Sequence, residues 1–155
     1  MALTPVQELT FDPDEPGPAH QQVTSAMETP GGWLNLTPVP EPGEEPPPRN
    51  LFVSIFSSRG PELPLATVSR DQKEGPTIKV GLQHPGGPKA VDRLARDGLG
   101  LPPGWLVVSD HPRRGLVLSA PSTDAELAVD WLLEAAERLT MTPLPSRWAA
   151  RRYQP

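Results

Sequence analysis

The sequence contains no cysteine, and this absence excludes several kinds of functional site. Disulfides, cysteine-ligated zinc, iron–sulfur clusters and thiol nucleophiles all need the missing side chain. No apolar run approaches the roughly 18–20 residues that a membrane-spanning helix needs. The N-terminus also lacks the basic and apolar regions of a secretory signal. These absences predict a cytoplasmic protein that neither crosses nor binds a membrane.

Basic residues are scarce in the first third of the chain. Residues 1–49 carry eight carboxylates and one base, Arg49, for a formal net charge of −7, whereas residues 50–155 carry thirteen bases and eleven acids, for +2. Such an acidic front disfavours binding to nucleic acid, because attraction to phosphate needs a basic face. We expect residues 1–30 to form an acidic, proline-rich segment that is poorly ordered or only loosely docked.

Proline is abundant, with 23 residues in a chain of 155, about three times its average usage. Six of the eleven residues from Pro38 to Pro48 are proline. Proline fixes φ and removes a backbone donor, so neither a helix nor a central strand can run through this stretch. The pattern predicts a proline-rich loop at 38–48 inside a single domain over 31–142. The high proline, arginine, alanine and glycine content, with few lysines, is typical of a bacterial protein.

Hydrophobic periodicity predicts the elements of this domain. The predicted strands cover 33–37, 51–57, 63–70, 77–83, 105–109 and 116–120. One short helix is predicted over 90–99, and a longer one begins at a capping box, Thr123 to Glu126, and keeps an apolar face to Leu139. The apolar runs at 105–109 and 116–120 predict a hairpin in the centre of the sheet. We therefore expect an α+β two-layer sandwich, in which a mainly antiparallel sheet of about five to six strands carries two helices on one face.

One candidate binding site is the loop at 83–89, between a strand and a helix. Gly86 and Gly87 allow backbone N–H groups to approach an anion, the helix start adds a positive dipole end, and Lys89 adds charge. The order of residues is not that of a P-loop, and glycine and proline at the boundary of an element also form ordinary turns. His84 is a further candidate ligand-binding residue of this loop.

A second candidate is the turn at 110–115, which contains His111 and Arg113. Its acid, imidazole and guanidinium groups suit acid–base or phosphate-binding chemistry, although a polar hairpin tip has the same composition. If this turn and the 83–89 loop lie at one end of the sheet around a concave pocket, His84 and His111 share a site. A metal site would need a third ligand, so neither a metal nor a cofactor is predicted.

The last segment, 143–155, combines basic and aromatic residues and is predicted to be a tail. Arginine, tryptophan and tyrosine are the usual anchors of protein interfaces. Arginines with aromatic rings also suit single-stranded nucleic acid, and a third interpretation is that Trp148 docks on its own domain. The candidate partner-binding residues are Arg147, Trp148, Arg151, Arg152 and Tyr153.

These features favour a non-enzymatic, cytosolic protein-interaction or accessory module, of a chaperone-like or immunity-like kind, whose partner is another protein. The sequence contains no catalytic motif with its characteristic spacing. Acidic residues form a stripe along one face of the last predicted helix, and the tail is basic and aromatic. The alternative is a small-ligand or anion-binding domain, possibly catalytic, that uses the 83–89 and 110–115 loops. A third and disfavoured interpretation is nucleic-acid binding through Arg113, Arg114, Arg151 and Arg152.

Overall fold

The computed structural model describes residues 4–40, 63–73, 75–140 and 142–155. In this part of the chain it contains seven β-strands, three α-helices and one 3₁₀ turn. The strands are β1 (Gln7–Phe11), β2 (Trp33–Pro38), β3 (Leu65–Ser69), β4 (Thr77–Gln83), β5 (Leu106–His111), β6 (Gly115–Pro121) and β7 (Trp148–Tyr153). The helices are α1 (Gly17–Met27), α2 (Ala90–Arg96) and α3 (Ala125–Leu139), and the 3₁₀ turn is Ser122–Asp124.

The strands form one sheet in the order β1-β7-β2-β3-β4-β6-β5, and every neighbouring pair is antiparallel. The predicted α+β class with an antiparallel sheet is confirmed. The described residues contain more strands and one more helix than the sequence predicted. The strand predicted over 51–57, and residues 41–48 of the proline-rich loop, lie outside the described part of the chain.

Alternation along β4 explains how the sheet buries one face. Ile78, Val80 and Leu82 are buried, whereas Thr77, Lys79 and Gln83 are exposed. Successive side chains of a strand point to opposite faces, so the apolar set lies towards the helices. Helix α1 packs on β2 and β7, α3 packs on β3 and β4, and the two helices contact each other. Each fully buried leucine or valine on this side contributes about 1.5–3 kcal/mol to stability.

The N-terminal segment is part of this fold, which differs from the poorly ordered segment predicted for 1–30. Strand β1 pairs with β7, and Ala19, Val23 and Ala26 of α1 are buried. Their spacing places the three residues on one helix face. Two of the prolines that suggested disorder, Pro16 and Pro18, lie at the start of α1, where a missing N–H group costs little.

The C-terminal segment also differs from the predicted tail, because Trp148–Tyr153 forms β7 between β1 and β2. Trp148, Ala149 and Ala150 are buried. The sheet therefore extends beyond the predicted 31–142 domain at both ends of the chain. The basic residues that suggested a tail occupy the second half of the strand, where its side chains are only half-buried.

The predicted capping box does not form at the start of α3. The residue before the helix is Asp124, and its side chain does not cap the helix. Its carboxylate instead accepts a hydrogen bond from Trp105 Nε1 at 3.0 Å. Trp131 Nε1 donates to the Gly100 carbonyl at 3.2 Å, and the rings of Trp105 and Trp131 lie 5.6 Å apart. These contacts fix the segment that leads into β5 against α3.

The β5–β6 hairpin lies at the edge of the sheet, so its predicted central position is wrong. In the described part of the chain β5 pairs with β6 alone. A bulge between Val107 and Ser109 also interrupts this pairing. An apolar run predicts that a strand is buried, but it does not identify the strands that pair with it. The consequence is an edge strand whose apolar side chains remain exposed.

Candidate functional site

The two loops that the sequence joined into one candidate site lie at the same end of the sheet. Strand β4 ends at Gln83, and β6 begins at Gly115. Because Leu82 is paired with Leu116, the chain leaves β4 beside the point where it enters β6. The 83–89 loop and the 110–115 turn are therefore neighbours, as the ligand-binding interpretation requires.

The carboxylate of Asp110 is hydrogen-bonded to the backbone N–H groups at the helix start, where an anion was expected to bind. Its carboxylate oxygens accept hydrogen bonds from the Ala90 and Val91 N–H groups at 3.3 and 3.0 Å. These are the first amides of α2, which has seven residues. A carboxylate at this position satisfies the unpaired amides and complements the helix dipole. The helix start is thus capped from within the chain.

His84 is a buried part of this junction. It is fully buried, and its Nδ1 accepts a hydrogen bond from the Gly86 N–H at 3.0 Å. Its Nε2 has no hydrogen-bond partner among the residues that the structure describes. Burial lowers the pKa of His84; the charge of Asp110 opposes this shift and that of Arg93 adds to it. At neutral pH the imidazole is therefore mainly uncharged, and because Nδ1 accepts a hydrogen bond, its proton lies on Nε2.

The glycines of the 83–89 loop have structural reasons to be there. A side chain at Gly86 would place its Cβ 3.0 Å from the Leu139 carbonyl oxygen. The Gly86 carbonyl also accepts a hydrogen bond from the Arg93 guanidinium. Gly87 has a φ of 80°, and Lys89, which is exposed, has a φ of 58°. This backbone turns sharply into α2. The glycines of the loop are therefore explained by its packing against Leu139 and by its connection of β4 to α2.

The 110–115 turn is organised by its histidine. His111 Nδ1 accepts hydrogen bonds from the Arg113 and Arg114 N–H groups, both at 3.1 Å. The side chains of Arg113 and Arg114 are exposed at the tip. This is the arrangement of a polar hairpin tip, in which a side chain replaces backbone acceptors. Nδ1 of the imidazole is thus engaged within the turn.

The candidate partner-binding residues of the C-terminal segment contact other parts of the same chain. Arg151 lies 3.2 Å from the Glu8 carboxylate, and Arg152 donates to Gln22 Oε1 at 3.0 Å. Tyr153 stacks on Trp33, with ring centroids 5.0 Å apart. Trp148 is 2% exposed. The interpretation in which Trp148 packs on its own domain thus describes its position, and only Arg147 of the five is exposed.

The four arginines considered for nucleic-acid binding do not form one basic face. Arg113 and Arg114 lie at the β5–β6 tip, whereas Arg151 and Arg152 lie on β7. Strands β2, β3 and β4 lie between β7 and β6, a separation of roughly 19 Å at about 4.8 Å a strand. Adjacent residues of one strand also point to opposite faces, which divides the β7 pair.

Two further findings limit the chemistry of the described residues. Among them there is no group of three or more histidine, aspartate or glutamate residues that could hold a metal ion. None of their helices is long and apolar enough to span a bilayer. A cavity of about 560 Å³ opens at the C-terminal end of α3, and its lining includes Leu133, Glu137 and Trp148 but no residue of either loop.

The feature that the sequence prediction missed is the exposed apolar edge of the sheet. Leu106, Val107 and Val108 are 67%, 46% and 62% exposed, and together we name them the β5 apolar patch. Native edge strands are commonly protected by charged residues, by proline or by a bulge. Residues 106–108 contain no charge and no proline, and the bulge between Val107 and Ser109 is the protection that β5 has. The outer edge of β5 also presents backbone N–H and C=O groups that β6 does not use.

Leu127 lies on the same side of α3 as the residues that hold the start of β5. It is 43% exposed. Asp124, three residues earlier, bonds Trp105, and Trp131, four residues later, packs against the same ring. Residues three and four apart share one helix face, so Leu127 points towards the β5 end of the molecule. Exposed apolar surface therefore occurs on β5 and also on α3, which packs on β3 and β4.

A scan against protein-family models found no match, and neither did searches of curated proteins and of solved structures. What the chain does must therefore be inferred from its own residues and contacts.

Proposed function

We propose that the protein is a non-enzymatic interaction module that binds another polypeptide along β5. The observation that carries this proposal is the β5 apolar patch, in which three consecutive large side chains are about half exposed or more. Full burial of such a side chain is worth about 1.5–3 kcal/mol, and folding of this chain leaves much of that unrealised. A partner that covers the strand would gain it.

The backbone of β5 supports the same proposal. An edge strand can accept an extended chain as an additional strand, with main-chain hydrogen bonds supplying affinity and side chains supplying specificity. Trp105 fixes the start of β5 against α3, and His111 fixes its end. Both ends of the strand are therefore fixed before a partner arrives, which lowers the entropic cost of binding.

The acidic stripe on α3 is a weaker basis for partner binding than the sequence suggested. Asp130 lies 2.7 Å from His20 Nε2, and Glu126 accepts a hydrogen bond from Thr24 at 3.5 Å. Both contacts join α3 to α1. The stripe thus contributes to packing between helices, and the proposal rests on β5. We propose that this partner binding serves a chaperone-like or immunity-like accessory role in the cytoplasm.

Photo-crosslinking tests this function directly. A photoreactive amino acid at Val107, introduced into the full chain in its own cells, is expected to give a covalent product of higher mass. The same amino acid at Gln21, which is exposed on α1, is the matched control and is expected to give none. Absence of a product from Val107, with an unchanged melting temperature, would contradict the proposal.

The ligand-binding alternative is favoured by one observation, the neighbouring positions of the 83–89 and 110–115 loops. It predicts that inorganic phosphate or a nucleotide raises the melting temperature saturably, because a ligand of the native state stabilises it by mass action. It also predicts that Lys89→Ala abolishes the rise. A flat response across phosphate and nucleotides would remove this second candidate.

A further inference from the structure

The surroundings of the β5 apolar patch carry opposite charges at their two ends. At the end of β5 the hairpin tip carries Arg113 and Arg114, and Arg114 is exposed. Asp110 lies at the same end, but its carboxylate caps α2, so the groups that the tip presents are basic. At the start of β5 lies Asp124, whose carboxylate is positioned by its hydrogen bond from Trp105. An apolar centre with a basic end and an acidic end matches a copy of itself that runs in the opposite direction.

We infer that the polypeptide covering β5 is a second copy of this chain, paired antiparallel through β5 about a two-fold axis near Val108. This inference rests on the proposed function and names its partner. Such an interface is isologous, because the same surface is used on both copies. The two seven-stranded sheets become one continuous sheet through their β5 strands.

The charges decide the direction of pairing. In an antiparallel pair the start of one β5 lies beside the end of the other, so Arg114 of each copy lies near Asp124 of the other. A parallel pair would place two basic tips together and two acidic ends together. Like charges placed against each other across an interface are unfavourable, whereas complementary ones fix the register of the pair.

The two-fold axis also fixes where the two helix layers lie. The two-fold axis of an antiparallel strand pair is perpendicular to the sheet, so both helix layers lie on the same side of the joined sheet. Helix α3 packs on β3 and β4, so β6 and β5 of each copy separate it from the axis. The second copy is therefore recognised by β5 itself and by the charged groups at its two ends.

The mass of the full-length protein in solution is the first test. By sedimentation, from about 5 to about 200 µM, we expect a concentration-dependent rise from 16.8 kDa to twice that mass. Val108→Lys places two ammonium groups together at the axis, and we expect it to raise the dissociation constant at least about 30-fold. Arg114→Glu is expected to raise it by a smaller factor, because it reverses a peripheral charge pair.

Val6→Lys is the matched control, because Val6 is 45% exposed beside the opposite edge of the sheet. We expect it to leave the dissociation constant unchanged. The absence of native cysteine allows a second measurement. Val108→Cys is expected to yield a disulfide-linked dimer under mild oxidation, whereas Val6→Cys is expected to stay monomeric. This second readout does not depend on Val108→Lys being well folded.

A wild-type chain that stays at 16.8 kDa at about 200 µM, with no disulfide-linked dimer of Val108→Cys, overturns the inference. A dimer that Val6→Lys dissociates and Val108→Lys does not also overturns it. These outcomes are separate from failure of the proposed function, because the Val107 crosslink would then still capture an unlike protein if β5 binds one. A monomeric chain without a Val107 crosslink contradicts both proposals.

Discussion

The carboxylate of Asp110 accepts a hydrogen bond from the backbone N–H of Val91 at 3.0 Å. This contact joins the end of β5 to the start of α2, across the loop that was expected to bind an anion. A group that the sequence offers as a catalytic acid is thus a helix cap supplied from another strand. The same contact fixes the end of the strand that carries the β5 apolar patch.

Removal of the Asp110 cap is expected to destabilise the protein. Asp110→Ala should lower the free energy of unfolding by about 1–2 kcal/mol, the usual cost of losing a helix cap. Asp110→Asn should cost less, because the amide oxygen remains an acceptor. Urea unfolding measures both. The control is Asp71→Ala at an exposed position, with an expected change within about 0.5 kcal/mol; an equal loss at both sites would contradict the cap.

Stability should fall in mild acid because of His84. Burial lowers the pKa of His84 in the folded protein, so the unfolded chain takes up a proton first as the pH falls. Stability is therefore complete above the ordinary histidine pKa of about 6.5 and decreases below it, down to the folded pKa. The slope contributed by this group approaches about 1.4 kcal/mol per pH unit.

His84→Asn isolates this contribution. The asparagine oxygen can replace Nδ1 as the acceptor for Gly86, and it does not titrate between pH 5 and 8. We expect the variant to lose less stability than the wild type between about pH 7.5 and about pH 5 in urea unfolding experiments. Identical pH profiles for the two proteins would show that burial of His84 does not couple folding to pH.

Substitutions in β7 distinguish a core strand from a tail. Trp148→Ala should lower the free energy of unfolding by about 3–5 kcal/mol, because it empties a buried site at the start of β7. Arg147→Ala, one residue earlier and exposed, should change it by no more than about 0.5 kcal/mol. Chemical denaturation measures both, and similar small values for the two variants would favour a loosely attached tail.

Gly115 is expected to tolerate no side chain. Its φ is 89°, and an added Cβ would lie 2.5 Å from the Leu82 carbonyl oxygen. Gly115→Ala should therefore cost about 1–3 kcal/mol through backbone strain, in addition to any cost of this collision. Gly75→Ala is the control, since no atom lies within 4 Å of its added Cβ. Equal melting temperatures for the two variants would show that the β4–β6 junction is looser than described.

Hydrophobic periodicity predicted the elements in which alternation along a strand, or one apolar face of a helix, identifies the buried residues. The β4 residues Ile78, Val80 and Leu82 and the buried face of α3 follow from spacing alone. Strand β7 could not be predicted in the same way, because two arginines within it and the prolines before it are typical of a tail. Its burial depends on β1 and β2, which lie more than a hundred residues away in sequence.

The candidate site shows the same limit. Spacing along the chain placed His84 and His111 in two loops, and the sheet brings these loops together. Spacing along the chain could not show that Asp110 caps α2, because the capped amides precede Asp110 by 19 and 20 residues. Nor could apolar composition distinguish a central strand from an edge strand. That distinction is what leaves Leu106, Val107 and Val108 exposed.

The most direct test of partner binding along β5 is the crosslink from Val107 in the protein's own cells, read by mass spectrometry. The account predicts a covalent product from Val107, none from Gln21, and peptides of this same chain on both sides of the link. A Val107 product that contains an unlike protein would retain the interaction module and contradict the paired β5 strands. Equal labelling from Val107 and Gln21, or none from Val107, would contradict the assignment of β5 as the binding surface.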